Sequence, residues 1–368
     1  MLHLELLEDR CLMAVSYTFL DSASNVLLSG TTPGNTISVG AISSDVAIDG
    51  TDTGVPVASV ASARLTGQTS ADLMSIQWQP YKMTLITGSL YLDASTQSPG
   101  TFSFTAATIT GTTGQGGIQY VRMGSIEFVS PLAGGSVVNV EQTVPHGATP
   151  LQIDGSGDTL IAPNVANTWN LSGNQSGTVI GASGSAITFT GIPDVKGGSS
   201  TDDFVYGASA SGFTINGGPG TNTLDVSAFS ANAVLSITAN NAGNVSYGGV
   251  QLTSWVSLQN YVLGNGSNLI ALANNCGISG TLNAGASGAN TISYAAYAGP
   301  MGINLKNGTG SNIGGGIVFV NGASSIQSVI GAQGHDYIIG DDQVGTLQGN
   351  GNPANETIVG GPNDTIIW

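Results

Sequence analysis

From about Ser16 to the last residue, apolar positions along this 368-residue chain recur in short alternating runs: Thr36-Ile-Ser-Val39, Ser89-Leu-Tyr-Leu92, Ser136-Val-Val-Asn-Val140, Ser236-Ile237. Alternation with a period of two places one side of each run in a core and the other toward water, the signature of short strands. Gly, Asn, Asp and Ser break the runs at close intervals. Only residues 2–15, LHLELLEDRCLMAV, carry helical spacing, with Leu4, Leu7 and Cys11 falling on one face.

The runs are organised by internal repetition. Residues 223–270 match 291–338 at a constant offset of 68, without a gap. TLDVSAF meets TISYAAY, Val250 and Leu252 meet Val318 and Val320, and Leu258 meets Ile326. A third partial copy, 187–207, matches the end of the unit. Such a length is too great for one coil and is expected to divide into three or four, with about 20 residues in each.

A shorter phrase recurs within and outside that unit: a Gly-rich turn, an acidic or amide residue, then the apolar beat. It occurs at Asn35, Asp158, Asp203, Asn222, Asn268, Asn290, Asp336, Glu356 and Asp364. Glycine admits positive φ, an Asx side chain bonds its own turn, and the Ile or Leu that follows points inward. Stacking such corners buries one continuous core that no single repeat could form. The fold class expected is therefore all-β, a parallel β-helix or β-solenoid, preceded by a short N-terminal helical segment. Three regions are expected: 1–15, an irregular β region at 16–150, and Gly/Asn-rich solenoid repeats at 151–368. The middle region reads either as a continuation of the solenoid or as a small sandwich, and a sandwich with Gly-rich hairpins is the rival for the repeats.

Composition narrows the partners. Six Lys and Arg against 22 Asp and Glu give a net charge of −16, so no basic cluster exists to displace counterions from nucleic acid. Anionic membranes are disfavoured for the same reason, and cations become the natural counter-partners. No apolar run of spanning length is present. Glu5, Glu8, Asp9 and Arg10 interrupt what would be a signal-peptide core. Cys11 and Cys276 are the two cysteines, which excludes a disulfide framework.

The segment LELLEDRCLMA at 4–14 resembles the N-terminal signature of the LEPR-XLL family, large exported proteins chiefly of planctomycete bacteria. Leu4, Glu5, Leu7, Glu8, Arg10, Leu12 and Met13 carry the resemblance. It implies a sorting tag and an extracellular or cell-surface location; an acidic amphipathic helix is the plainer reading of the same residues. The Gly-rich repeats are similar, more distantly, to the calcium-binding β-roll of RTX proteins. The best copy of that nonapeptide is GAQGHDYII at 331–339, with Gly331, Gly334, Asp336 and Ile338 in place and Ala332 where a glycine belongs. By that resemblance Asp336, Asp341, Asp342 and Asp364 are candidate calcium ligands. Corner turns without a metal are the alternative, because other corners carry Asn and the nonapeptides do not run back to back.

Catalytic chemistry finds little footing. His3, His146 and His335 are scattered, and no zinc or nucleophile-elbow motif is present. Asp202 with Asp203 is the one carboxylate pair suggesting glycoside hydrolysis, yet neighbours on a strand point to opposite faces. Uronate lyases need basic residues, and only Arg64, Lys82, Arg122, Lys196 and Lys306 are available beyond the N-terminal segment. Phe229 and Tyr297 share a repeat position, with Tyr294 nearby, and read as an internal stack or as a sugar-binding surface. Trp78, Trp169 and Trp255 share no spacing, and Trp368 follows directly on a strand signature. The function expected is a non-catalytic secreted or cell-surface structural or adhesion protein, with an unidentified surface ligand or polysaccharide as partner. A calcium-stabilised export module and a polysaccharide-active β-helix enzyme are the alternatives.

Overall fold

The structure is a computed structural model. It describes residues 15–19, 25–30, 36–48, 50–56, 62–66, 73–77, 82–85, 88–94, 99–104, 108–111, 118–120, 123–130, 132–140, 151–181, 186–320, 323–351 and 356–368. The expected N-terminal helix lies outside these residues except for Val15, which opens a strand. Every element among the described residues is a β-strand. They form two compact units, Met1–Leu160 with Ser183–Gly191, and Ile161–Ala182 with Ile192–Trp368.

Each unit is a parallel solenoid. In the first, Thr36–Ile42 pairs parallel with Leu73–Gln77, which continues through Gly88–Asp93, Met123–Val129, Leu151–Asp154 and Ile187–Thr190. Among the described residues this parallel coil-on-coil pairing runs from Thr36 to Thr190. In the second unit, Asn167–Gly173 starts a ladder through Asp202–Tyr206, Thr223–Asp225, Asn260–Val262, Thr281–Asn283 and Gly316–Ile317. The other face carries Ala233–Ala239, Leu269–Leu272, Thr291–Ser293, Ser328–Ile330, Thr346–Gln348 and Thr365–Ile367. Partners on adjacent coils, such as Asp203 with Thr223 or Tyr261 with Leu282, stand close to the expected 20 residues apart.

Some coils are longer because they contain a three-strand antiparallel meander. Ala233–Ala239 turns back into Ala242–Tyr247, which turns again into Val250–Val256. The last of these lies parallel on Phe213–Asn216, while the first supports Leu269–Leu272. The chain thus lays one strand ahead and fills in behind it. The first unit builds the same figure from Thr101–Phe104, Thr108–Gly111 and Ile118–Tyr120. Leading strands that begin at Thr36, Thr101, Asn167, Ala233 and Gly302 mark a repeat running through the described chain, at intervals of 65, 66, 66 and 69 residues.

This repeat accounts for the 68-residue match and corrects its expected division. Its strands visit a face five times, the meander counting once, so each copy makes two and a half coils rather than three or four. Thr223–Asp225 and Thr291–Ser293, equivalent in sequence, accordingly belong to different sheets. The discrepancy arises because a meander consumes residues without advancing the winding.

The core follows from the alternation. Strand Asn167–Gly173 buries every second residue, and in-register neighbours Trp169, Phe204, Leu224, Tyr261 and Leu282 are all fully buried. Trp169 and Phe204 stack with ring centroids 5.5 Å apart. Burying such a side chain contributes about 1.5–3 kcal/mol, and each rung places it against the rung before.

Candidate functional site

The described corners use their polar side chains inward. Two positions in each of the four repeats from Thr101 onward, both located two residues before an inward apolar residue, hold buried or half-buried polar groups. One is occupied by Ser136, Asp202, Asn268 and Asp336, the other by Asp158, Asn222, Asn290 and the half-buried Glu356. Among the residues marked by the sequence phrase, Asp203 is out of step: its neighbour Asp202 is the buried corner. Ser136, Asn167, Gln259 and Gln327 were missed, and the signal available for the first two was the same two-residue spacing to Val138 and Trp169.

These residues form a ladder along the stacked coils. At its first rung the leading strand donates to the first corner: Gly100 N–H to Ser136 Oγ at 3.4 Å, Ala233 N–H to Asn268 Oδ1 at 2.8 Å, Met301 N–H to Asp336 Oδ1 at 3.1 Å. In the remaining copy Asn167 Nδ2 donates to Asp202 Oδ1 at 2.6 Å. The first corner then donates its own N–H to the second. Ser136 bonds Asp158 at 2.7 Å, Asp202 bonds Asn222 at 2.9 Å, Asn268 bonds Asn290 at 2.9 Å and Asp336 bonds Glu356 at 3.2 Å. A third rung runs from Asn222 and Asn290 N–H to the Oε1 atoms of Gln259 and Gln327, at 2.6 and 2.8 Å.

Whether a corner carries an amide or an acid follows from what the local backbone presents. Asn268 Nδ2 donates to the carbonyls of Gly264 and Ala284, and Asn222 Nδ2 to those of Gly218 and Ser257. Asp336 meets N–H groups instead, Met301 on Oδ1 and Ala332 on Oδ2 at 2.6 Å. Asp158 likewise accepts from the Ser136 and Ser156 amides and from the Ser130 hydroxyl. Buried polar groups are expensive unless paired, so the ladder satisfies corner backbone that strand pairing leaves over. Glycine makes room for it: a Cβ on Gly264 would stand 1.6 Å from the Phe229 carbonyl oxygen.

Burial perturbs the acids. Asp202 is pushed up to about 6 by desolvation, with Asp203 adding to the rise and the hydrogen bond from Asn167 opposing it. Desolvation also raises Asp336, against the Met301 and Ala332 amides and with Glu356 reinforcing it. Asp364 is raised by burial and by the nearby charges of Asp341 and Asp342.

The four candidate calcium ligands do not assemble a cage. Asp336 spends both oxygens on backbone N–H groups, and Asp341 accepts the Gln343 amide and its side-chain Nε2. Asp342 is exposed, and Asp364 accepts from Gly361 N–H. Calcium takes six to eight oxygen ligands; among the described residues no group of three or more His, Cys, Asp or Glu is placed to hold an ion.

The carboxylate pair is split across its strand, with Asp202 buried and Asp203 facing outward. His335 is exposed, whereas His3 and His146 lie outside the described residues, as do Cys11, Asn35, Trp78 and Arg122. Tyr297 and Tyr294 are buried and pack edge to face at 5.2 Å, while Phe229, at the equivalent position, is half-buried and stacks on Tyr247 at 4.6 Å. Trp255 Nε1 donates to Tyr261 Oη inside the core, and Trp368 is exposed. Among the described residues no helix is long and apolar enough to cross a membrane. No family model matches the chain, and neither does any curated protein or solved structure.

Proposed function

We propose that this chain is a non-catalytic secreted or cell-surface protein whose stacked coils serve as a structural or adhesive surface. The observation that carries this reading is the direction of its polar chemistry. The buried carboxylates and amides are turned onto the backbone of neighbouring coils, and the Asp202–Asp203 pair is divided between core and solvent. Hydrolysis of a glycosidic bond needs two carboxyl groups flanking one substrate, and Asp202 with Asp203 lacks that geometry. The outward strand positions are dominated by uncharged hydroxyl and amide side chains such as Thr214, Ser254, Thr223 and Asn260. The N-terminal resemblance at Leu4 to Met13 supports delivery to the outside of a bacterial cell.

The test couples retention with turnover. The full chain is incubated with isolated bacterial envelopes and with purified polysaccharides, and new reducing ends and unsaturated uronates are measured in the same samples. Retention on the solid phase without release of either product is the expected result. Release that scales with protein concentration and survives repurification would overturn the reading.

A further inference from the structure

We infer that the hairpin tips at Asn240-Asn241 and Asn312, with the corner at Gly277 to Ser279, form a binding groove for an uncharged glycan. This inference rests on the adhesive reading above and gives it a location. The groove occurs where the repeat departs from its own pattern. In the fourth copy the second and third meander strands are joined by Gly248-Gly249 alone. In the fifth, Thr309–Gly310 and Gly316–Ile317 are only two residues each, and the turn at Ser311 to Gly315 between them bonds to the corner at Gly277 to Gly280, with Ile313 bridging Ile278. The space left is a cavity of about 500 Å³, within the range of about 300–1,000 Å³ that small-ligand sites occupy.

Its walls mix amide and hydroxyl groups with Ile278 and Ile313 and carry no charged side chain. Asn240 Oδ1 accepts Gly277 N–H at 3.1 Å, and Asn241 Oδ1 accepts Ser279 N–H at 2.8 Å and Ser279 Oγ at 3.2 Å. With both oxygens held by backbone, the two amide groups are fixed so that their Nδ2 atoms remain as donors. Asn312 is held the other way round: its Nδ2 donates to Tyr297 Oη at 2.7 Å, leaving Oδ1 as an acceptor. Donors and an acceptor in one groove match the hydroxyl pairs of a pyranose, and the missing charge gives an acidic sugar no partner. Asn241 and Asn312 sit at φ of 56° and 59°. Asparagine is one of the few side chains that enter this left-handed region readily.

The test uses the full chain, labelled with ¹⁵N, titrated with cellotetraose, maltotetraose and trigalacturonate while the side-chain amide signals are followed. Shifts confined to Asn240, Asn241 and Asn312 are expected with a neutral oligosaccharide and not with trigalacturonate. Asn240→Ala with Asn241→Gly, which keeps the positive-φ turn, should weaken binding at least tenfold. Asn240→Ala alone, outside that turn, should weaken it severalfold and serves if the double variant fails to fold. Absence of shifts with both neutral probes, shifts that persist in the variants, or tighter binding of trigalacturonate would overturn the inference. Envelope retention separates the two levels. A folded variant retained as well as wild type sinks the groove and leaves the adhesive reading standing, whereas neutral-sugar binding without envelope retention does the reverse.

Discussion

Exchanging Asn268 for Asp alters one atom and almost no volume, and it tests why corners differ in chemistry. Asn268 Oδ1 would keep its bond from Ala233 N–H, but Nδ2 now donates to Gly264 and Ala284 carbonyls at 2.9 and 2.8 Å. A carboxylate turns an acceptor toward both. Two hydrogen bonds worth about 1 kcal/mol each disappear, two carbonyls lose a donor, and a buried charge gains no cation; together about 3–5 kcal/mol near pH 7. Protonation is the one escape, because a carboxylic O–H restores a single donor. The folded-state pKa of the new group must therefore rise above its unfolded value of about 3.9. For an acid raised on folding, the penalty is complete above the folded pKa, shrinks as pH falls through it, and is gone near the unfolded value. Urea unfolding followed by circular dichroism from pH 4 to 8 should show Asn268→Asp closest to wild type at pH 4, with a gap that widens toward pH 7. Exchange of the Ala233 and Asn268 amide protons gives a local readout should the solenoid not unfold in a single step. A gap below about 1 kcal/mol at pH 7, or one that does not change with pH, would refute the reasoning.

Three further outcomes follow from the same geometry. Asp202, held up to about 6 from 3.8, carries a penalty of roughly 3 kcal/mol at neutral pH. Wild-type stability should therefore rise by about 1 kcal/mol between pH 7 and 5 from this group, and Asp202→Ser, copying Ser136, should remove that slope; equal slopes in matched pH series would contradict the assignment. Gly264→Ala would force a Cβ onto the Phe229 carbonyl and should cost more than about 2 kcal/mol, whereas Gly299→Ala meets nothing within 4 Å and should change stability by under about 0.5 kcal/mol in parallel denaturation curves. Millimolar calcium or EDTA should leave the melting temperature unmoved, since Asp336 and Asp341 already accept N–H donors; a calcium-dependent rise of several degrees would revive the export-module alternative.

The solenoid was legible in the sequence because its two strongest determinants are local: alternation along each strand and an Asx two residues before the inward side chain. The offset of 68 was legible too, but not its division. A meander strand such as Ala242–Tyr247 has the same alternation as a coil strand, and only long-range pairing with Ala233–Ala239 and Val250–Val256 tells them apart. Residue types also hid the ladder. Ser136, Asp202, Asn268 and Asp336 share one role, but their chemistry depends on whether the adjoining corner offers carbonyls or N–H groups, a property of backbone direction. Asp336 fits the metal-ligand pattern in the sequence, and its oxygens accept the Met301 and Ala332 N–H groups in the fold. The groove was not legible, since it depends on a loop between two abbreviated strands.

A repeat that ends half a turn away from where it began has a consequence for how such a chain can grow. Adding one copy within the second unit would carry every later meander to the reverse side, exchanging front for back. Adding a pair would restore the original aspect. Surface features borne on one side would thus survive duplication in twos and be turned over by duplication in ones, a parity rule that length alone would not disclose.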